Sequence, residues 1–223
     1  MRRRMLLPQT DNWEYNLVDL GLTSGTLWMD RNVGAEKPED YGLYFAWGET
    51  QGYTANEVGT KKNFDYWGDY KYANGACDKL TKYCTDSSYG NDGFTDNLTE
   101  LELSDDAAYG YTNGKCKMST KEQFQELIDE TDYTWTTQND VNGGLFTSKT
   151  NGNSIFVPAS GRFGDGKNTE IDKETYILAN TIHQYEDGSY MNYQCDYLEL
   201  WGNSIYVNYG SRYYGYTIRG VKV

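Results

Sequence analysis

Proline is scarce in this chain, three among 223 residues, and histidine occurs once, at His183. A lone imidazole leaves no histidine cluster for a zinc centre and no supporting set for a Ser-His-Asp triad. Cations are few as well: 20 Lys and Arg stand against 33 Asp and Glu, a formal net charge of −13. A surface of that sign repels a phosphate backbone and has no cation stripe to release counterions, so nucleic acid is not an expected partner. No apolar run approaches the roughly 18 residues that would span a bilayer, and direct membrane insertion is not expected. The one basic cluster, Arg2-Arg3-Arg4, is followed only by Met5-Leu6-Leu7 before Pro8, short of the about 7–15 apolar residues of a signal-peptide core. The expectation is a mature domain without its leader, or a protein exported by assembly into a particle.

Cysteine is limited to Cys77, Cys84, Cys116 and Cys195. Two disulfides in any of three pairings, or none, are compatible with that number, and the spacing matches neither a metal ribbon nor a redox pair. What the chain does have is aromatic and turn-forming residues: 22 Tyr, 6 Trp, 7 Phe and 24 Gly, at 38% apolar overall. Short apolar runs broken by Asn, Asp and Gly favour many short strands and turns over long helices. With no linker-like stretch, the length suits one core and one domain. The expected division is a lead-in or tail of a preceding region over 1–16 and a single domain over 17–223.

Val18-Asp19-Leu20, a turn over Gly21 to Gly25, and Thr26-Leu27-Trp28-Met29 read as strand, turn, strand, and Tyr44-Phe45-Ala46-Trp47 as a further strand. Residues 50 to 100 hold neither period for long and are expected to be an irregular insertion packed by its own aromatics. Ser104 is the expected N-cap of a short helix ending near Gly110. A better helix opens at Thr120, where Gln123 completes a capping box and Phe124, Leu127 and Ile128 share a face. Tyr133–Thr136, Gly144–Thr147 and Ser154–Pro158 are strand candidates. Further on, Leu198, Leu200, Ile205 and Val207 alternate with Tyr197, Glu199, Trp201, Ser204, Tyr206 and Asn208 about a Gly202-Asn203 turn. One face of that hairpin is expected in the core and the other in solvent.

Several segments together resemble the Fibrobacter-type major paralogous domain: Val18-Asp19-Leu20-Gly21-Leu22, Ser24-Gly25-Thr26-Leu27-Trp28, Asn32-Val33-Gly34-Ala35, Tyr41-Gly42 and Phe45-Ala46-Trp47-Gly48-Glu49-Thr50. Asp105 to Ala108, Met118-Ser119-Thr120, Asn153 to Gly161 and the closing Gly215 to Val221 extend the likeness over nearly the whole chain. The chain departs from that pattern at Lys115-Cys116-Lys117, where the family has a Trp and an Arg, at Ser119, where it has a Pro, and at Ile177-Leu178-Ala179, where a Trp-Ser-Ser is usual. The resemblance implies an α+β, C-type-lectin-like fold with short antiparallel strands, two helices and long irregular insertions, in which Thr26–Met29 and Tyr216–Val223 pair. It also implies kinship with the formylglycine-generating-enzyme group, whose cysteine pair is here reduced to Cys195. Some proteins with this domain resemble variable proteins of diversity-generating retroelements, whose C-terminal segments are rewritten at adenine-bearing codons.

From His183 to Tyr216, nine Tyr, four Gly, three Asn and three Ser make up 19 of 34 residues, the types that dominate antibody paratopes. The candidate ligand-binding residues are Tyr185, Asp187, Tyr190, Asn192, Tyr193, Asp196, Tyr197, Glu199, Trp201, Asn203, Tyr206, Asn208, Tyr209, Ser211, Tyr213 and Tyr214. About a third of the tyrosines, Tyr216 among them, are expected simply to pack the sheet, whereas an outward Trp201 is costly unless something binds it. Asp105 with Asp106, Glu186 with Asp187, and Asp165 could pair as glycosidase carboxylates, but in so acidic a chain adjacency carries little. No sugar-lectin calcium motif is present, no cofactor is expected, and a structural ion is conceivable only at a loop such as Asn91-Asp92-Gly93.

The expected function is therefore ligand or receptor binding through a variable surface over 183–216, holding a protein or glycan by aromatic anchors and an acidic rim, without catalysis. A cell surface or a phage virion would be its place, and an oligomer is compatible. The alternatives are a structural subunit of a pilus or other surface assembly, or an enzyme, either formylglycine-generating-like or with its site in the insertion.

Overall fold

The computed structural model describes residues 15–223; the Arg2-Arg3-Arg4 segment and most of the expected lead-in lie outside them. Leu17–Asp19 (β1) and Leu27–Met29 (β2) pair antiparallel, then a long irregular region precedes helix Ala107–Tyr111 (α1), strand Cys116–Met118 (β3) and helix Lys121–Glu130 (α2). Strands follow at Thr131–Gln138 (β4), Val141–Ser148 (β5), Ser154–Pro158 (β6), Arg162–Gly164 (β7) and Lys167–Thr169 (β8). Glu174–Gln184 (β9), Tyr190–Trp201 (β10), Ser204–Ser211 (β11) and Gly220–Lys222 (β12) complete the described chain. The mixture is sheet-rich: two α-helices beside small antiparallel sheets ordered β1-β2-β12-β3, β11-β10-β9, β4-β5-β6 and β7-β8. The closing strand does pair with the early one, Val221 opposite Trp28.

Helix α2 starts where local chemistry dictates. The Thr120 hydroxyl accepts from Gln123 N (3.2 Å) while the Gln123 amide oxygen accepts from Thr120 N (3.0 Å), which satisfies two backbone donors that have no helical partner. Phe124 and Leu127 are buried, Phe124 stacked on Trp28, and Thr131 leaves the helix in an extended conformation to open β4. Helix α1 differs from expectation. Leu103–Asp105 form a separate 3-10 turn, and the cap is Asp106, not Ser104. The buried Asp106 carboxylate accepts from Tyr109 N (2.9 Å) and also from Met118 N (2.8 Å), so it ties α1 to β3, a partner 12 residues away that a local reading misses.

Tyr44–Trp47 is the other correction. All four residues are buried, but their backbone donors go to three separate places: Tyr44 N to Tyr53 O, Phe45 N to Tyr216 O and Trp47 N to Arg212 O. The segment makes isolated bridges and no ladder. The insertion, as expected, packs on its own rings: Trp67, Tyr70, Tyr72 and Tyr83 are buried, with edge-on pairs at 5.0–6.0 Å that include Trp47. That aromatic cluster is one core, and a mainly aliphatic cluster of Leu20, Leu127, Ile155, Ile177, Leu198 and Leu200 around Phe124 under α2 is the other. All four cysteines are free thiols.

Two buried arginines join the C-terminal segment to both halves. Arg212 donates to Tyr70 Oη (3.0 Å) and to the carbonyls of Tyr83 (3.1 Å), Asn192 (2.6 Å) and Lys82 (3.1 Å), with its guanidinium 4.6 Å from the Trp47 ring. Arg219 donates to Asn32 Oδ1 (2.9 Å) and to the carbonyls of Met29 (3.1 Å) and Phe156 (2.8 Å). Burying a guanidinium is costly, and dispersing its five donors over fixed acceptors is what makes it tolerable.

Candidate ligand-binding face

The sheet β11-β10-β9 carries most of the candidate residues. Its register sets Leu198 opposite Val207 and Ile177, and Leu200 opposite Ile205 and Thr175. That face is covered by the aliphatic core. Successive side chains in a strand point to opposite sides, so the other face holds Tyr197 with Asn208, Glu199 with Tyr206 and Tyr176, and Trp201 with Ser204 and Glu174. The two-residue turn beneath it needs Gly202, which takes φ 53°. Its carbonyl accepts from the Tyr133 hydroxyl (2.8 Å), which pins the hairpin tip to β4.

On the outward face, Trp201 is 61% exposed and Tyr206, its diagonal neighbour, 54%. Directly opposite Tyr206 and two residues from Trp201 lies Glu199, whose carboxylate accepts from Asn208 Nδ2 (2.8 Å). At the inner end the face closes over a tyrosine cluster: Tyr176, Tyr197 and Tyr216 meet at 5.3–6.1 Å. Gly210 permits that approach, because a Cβ there would lie 2.7 Å from Tyr216 Oη and 2.9 Å from the Tyr197 ring.

The 16 candidates do not all reach the surface. Asn203 and Tyr209 are exposed, as are Tyr185 and Asp187 on the β9–β10 connection, while Tyr190, Tyr193, Ser211 and Tyr214 are half-buried. Four expected display positions are instead buried: Asn192, Asp196, Tyr197 and Tyr213. Each has a physical reason. Asn192 Oδ1 accepts from Thr85 N (2.6 Å), which docks the insertion. Tyr197 is roofed by Tyr216, and Tyr213 is wedged against Trp67 (5.2 Å) and Tyr214 (4.5 Å). Burial pushes the hydroxyls of both above the ordinary tyrosine range. Asp196 accepts from Thr181 Oγ1 (2.9 Å) and lies 2.7 Å from His183 Nδ1; burial raises its carboxyl despite those two partners.

His183 is stacked on Tyr209 at 3.8 Å and met edge-on by Tyr185 at 5.2 Å. With Gln184, Glu186, Asp187 and Ser189 these rings line an open cleft of about 740 Å³. Among the described residues no serine or cysteine side chain hydrogen-bonds the imidazole, and no group of three His, Cys, Asp or Glu is placed to hold a metal ion. At Asn91–Gly93 the Asp92 carboxylate accepts from Asn91 Nδ2 (2.8 Å), so its oxygen already has an amide partner.

Sequence reading missed Glu174 and Tyr176 on β9 and Arg162 on β7, which join this face from outside 183–216. The alternation of β9 against β10 was the available signal for the first two; nothing local marks Arg162. In comparisons with known proteins, no family model, no curated protein and no solved structure matches the chain.

Proposed function

We propose that this chain is a C-type-lectin-like ligand-display domain that holds a protein or glycan on the outward face of β10 and β11, with the adjoining cleft as part of the same surface. The observation that carries the reading is the pair Trp201 and Tyr206, large and exposed on a sheet whose opposite face is anchored in the core. Covering both rings removes on the order of 250 Å² from water, about 6 kcal/mol before the costs of association. Stiff aromatics on a rigid backing, with Asn, Ser and Gly between them, are the chemistry of a paratope. The acidic residues Glu199, Glu174, Glu186 and Asp187 form its polar rim. Diversification of 183–216 by a retroelement fits that composition, and a cell surface or phage particle is the setting in which such a face would meet its ligand. No helix among the described residues is long and apolar enough to cross a membrane.

The test is the DNA beside the gene. A near-copy of the codons for 183–223 that differs at adenines, next to a reverse transcriptase, establishes a diversified binder. Its absence, together with binding to arrayed surface glycans and proteins that survives W201A/Y206A, defeats the reading. A second reading, a subunit of a surface assembly, draws support from β11, a sheet edge of eight residues with no further strand beside it among the described residues. Polymerisation of the purified protein that W201A/Y206A abolishes would favour it.

A further inference from the structure

We infer that Arg162 is a fixed anchor of this face, outside the variable segment, that takes the carboxylate of an acidic sugar; the inference rests on the display reading above. Arg162 opens β7 and its guanidinium sits 5.0 Å from the centroids of both Tyr176 and Tyr214. Gly164, two residues on, allows this: a Cβ there would stand 2.8 Å from the Tyr214 ring, so only glycine lets that ring lie against β7.

The four described arginines are Arg31, Arg162, Arg212 and Arg219. Arg31 binds Asp30, and Arg212 and Arg219 spend their donors on carbonyls and neutral oxygens. Arg162 alone has neither a side-chain hydrogen bond nor a carboxylate within 4.0 Å among the described residues. Its acidic neighbours on the face are engaged elsewhere: Glu174 takes the Tyr176 hydroxyl and Glu199 the Asn208 amide. Beside the same two rings, the Tyr216 hydroxyl is buried and has no hydrogen-bond partner, so it does not compete for the Arg162 donors. A chain of net charge −13 thus keeps a half-buried guanidinium, held by rings on its π face and unpaired at its donor edge.

A planar fork of N–H donors matches a carboxylate in bidentate geometry. Glu174 and Glu199 on the same face repel a dianion and so disfavour phosphate, but they accept hydrogen bonds from hydroxyls. Trp201 and Tyr206 offer flat π faces to C–H groups. A carboxylate, flanking hydroxyls and an apolar ring face occur together in a uronic or similar sugar acid, whereas an acidic peptide side chain supplies only the first.

The test is an NMR titration of the whole chain, following the Arg162 Nε–H and Trp201 indole N–H signals. The probes are sodium glucuronate, its methyl ester, methyl glucoside and N-acetylglutamate. Glucuronate should move both signals, with the methyl ester and methyl glucoside at least about tenfold weaker, the worth of one charge-assisted hydrogen bond. R162Q should lose that preference and R162K should keep part of it; the ester needs no mutation and guards against misfolding. Equal binding of N-acetylglutamate overturns the sugar assignment. No response at Arg162 overturns the inference. If neutral sugar still moves Trp201 in that case, the display reading stands; if no probe moves either signal, that reading gains nothing from these ligands and is decided by the gene test and the binding arrays.

Discussion

Replacing Arg212 with methionine should destabilise the protein severely while leaving the exposed residues of β10 and β11 chemically intact. The side chain is fully buried and makes four hydrogen bonds, three of them to carbonyls of Lys82, Tyr83 and Asn192. Methionine approximates its length but donates nothing. Each buried acceptor left without a partner costs about 1–3 kcal/mol, so three carbonyls and the lost contact with Tyr70 Oη give about 4 kcal/mol even at the low end. Against a total stability of about 5–15 kcal/mol, that is a large share. Urea unfolding followed by tryptophan fluorescence would read it: with a slope of about 2 kcal/mol/M, the midpoint should fall by about 2 M. R212K should lie between, since an ammonium has three donors on a flexible stem and no planar fork to span carbonyls from two segments. Proteolysis should then cut first between 72 and 85, the stretch this arginine clamps. A midpoint for R212M within 0.5 M of wild type, a shift of about 1 kcal/mol at that slope, would refute the view that Arg212 joins the insertion to the tail.

Gly210→Ala should lower stability by about 1–3 kcal/mol, because the new methyl would meet Tyr216 Oη and the Tyr197 ring inside 3 Å; an unchanged melting temperature would contradict that packing. Acid should weaken the insertion through Asp105. Burial raises its carboxyl, but hydrogen bonds from Lys82, Tyr72 and Tyr83 outweigh that and bring it to about 2 from the ordinary 3.8. A depressed folded value means the stabilisation is complete above the ordinary value and fades as pH falls through it toward 2, so wild-type stability should drop more steeply between pH 4 and 2 than that of D105N. Thiol titration of the native protein should label Cys77 first, since Cys84, Cys116 and Cys195 are buried and burial pushes their thiols up. Reductant should leave the melting temperature where it is; a reductant-sensitive transition would show a disulfide.

Much of the architecture could be read locally. The Thr120 capping box, the apolar face of α2, the Gly202 turn and the alternation of Leu198, Leu200 and Trp201 each depend on residues within a few positions of one another, and each appears as expected. The strand at Tyr44–Trp47 and the cap at Ser104 failed because the deciding partners, Tyr216, Arg212 and Met118, come from elsewhere in the chain. Alternation likewise marks Tyr197 as outward, which it is, yet cannot see that Tyr216 folds over it.

The sequence by itself determined the chemistry of the face: its tyrosines, its acids, and the two-residue period that sends Trp201 and Tyr206 to one side, because period and turn geometry are short-range properties. Only the tertiary structure decided which of those side chains remain in water and that Arg162 and Tyr176 join them, because burial and the meeting of β7 with β9 and the tail are set by packing between segments far apart in the chain.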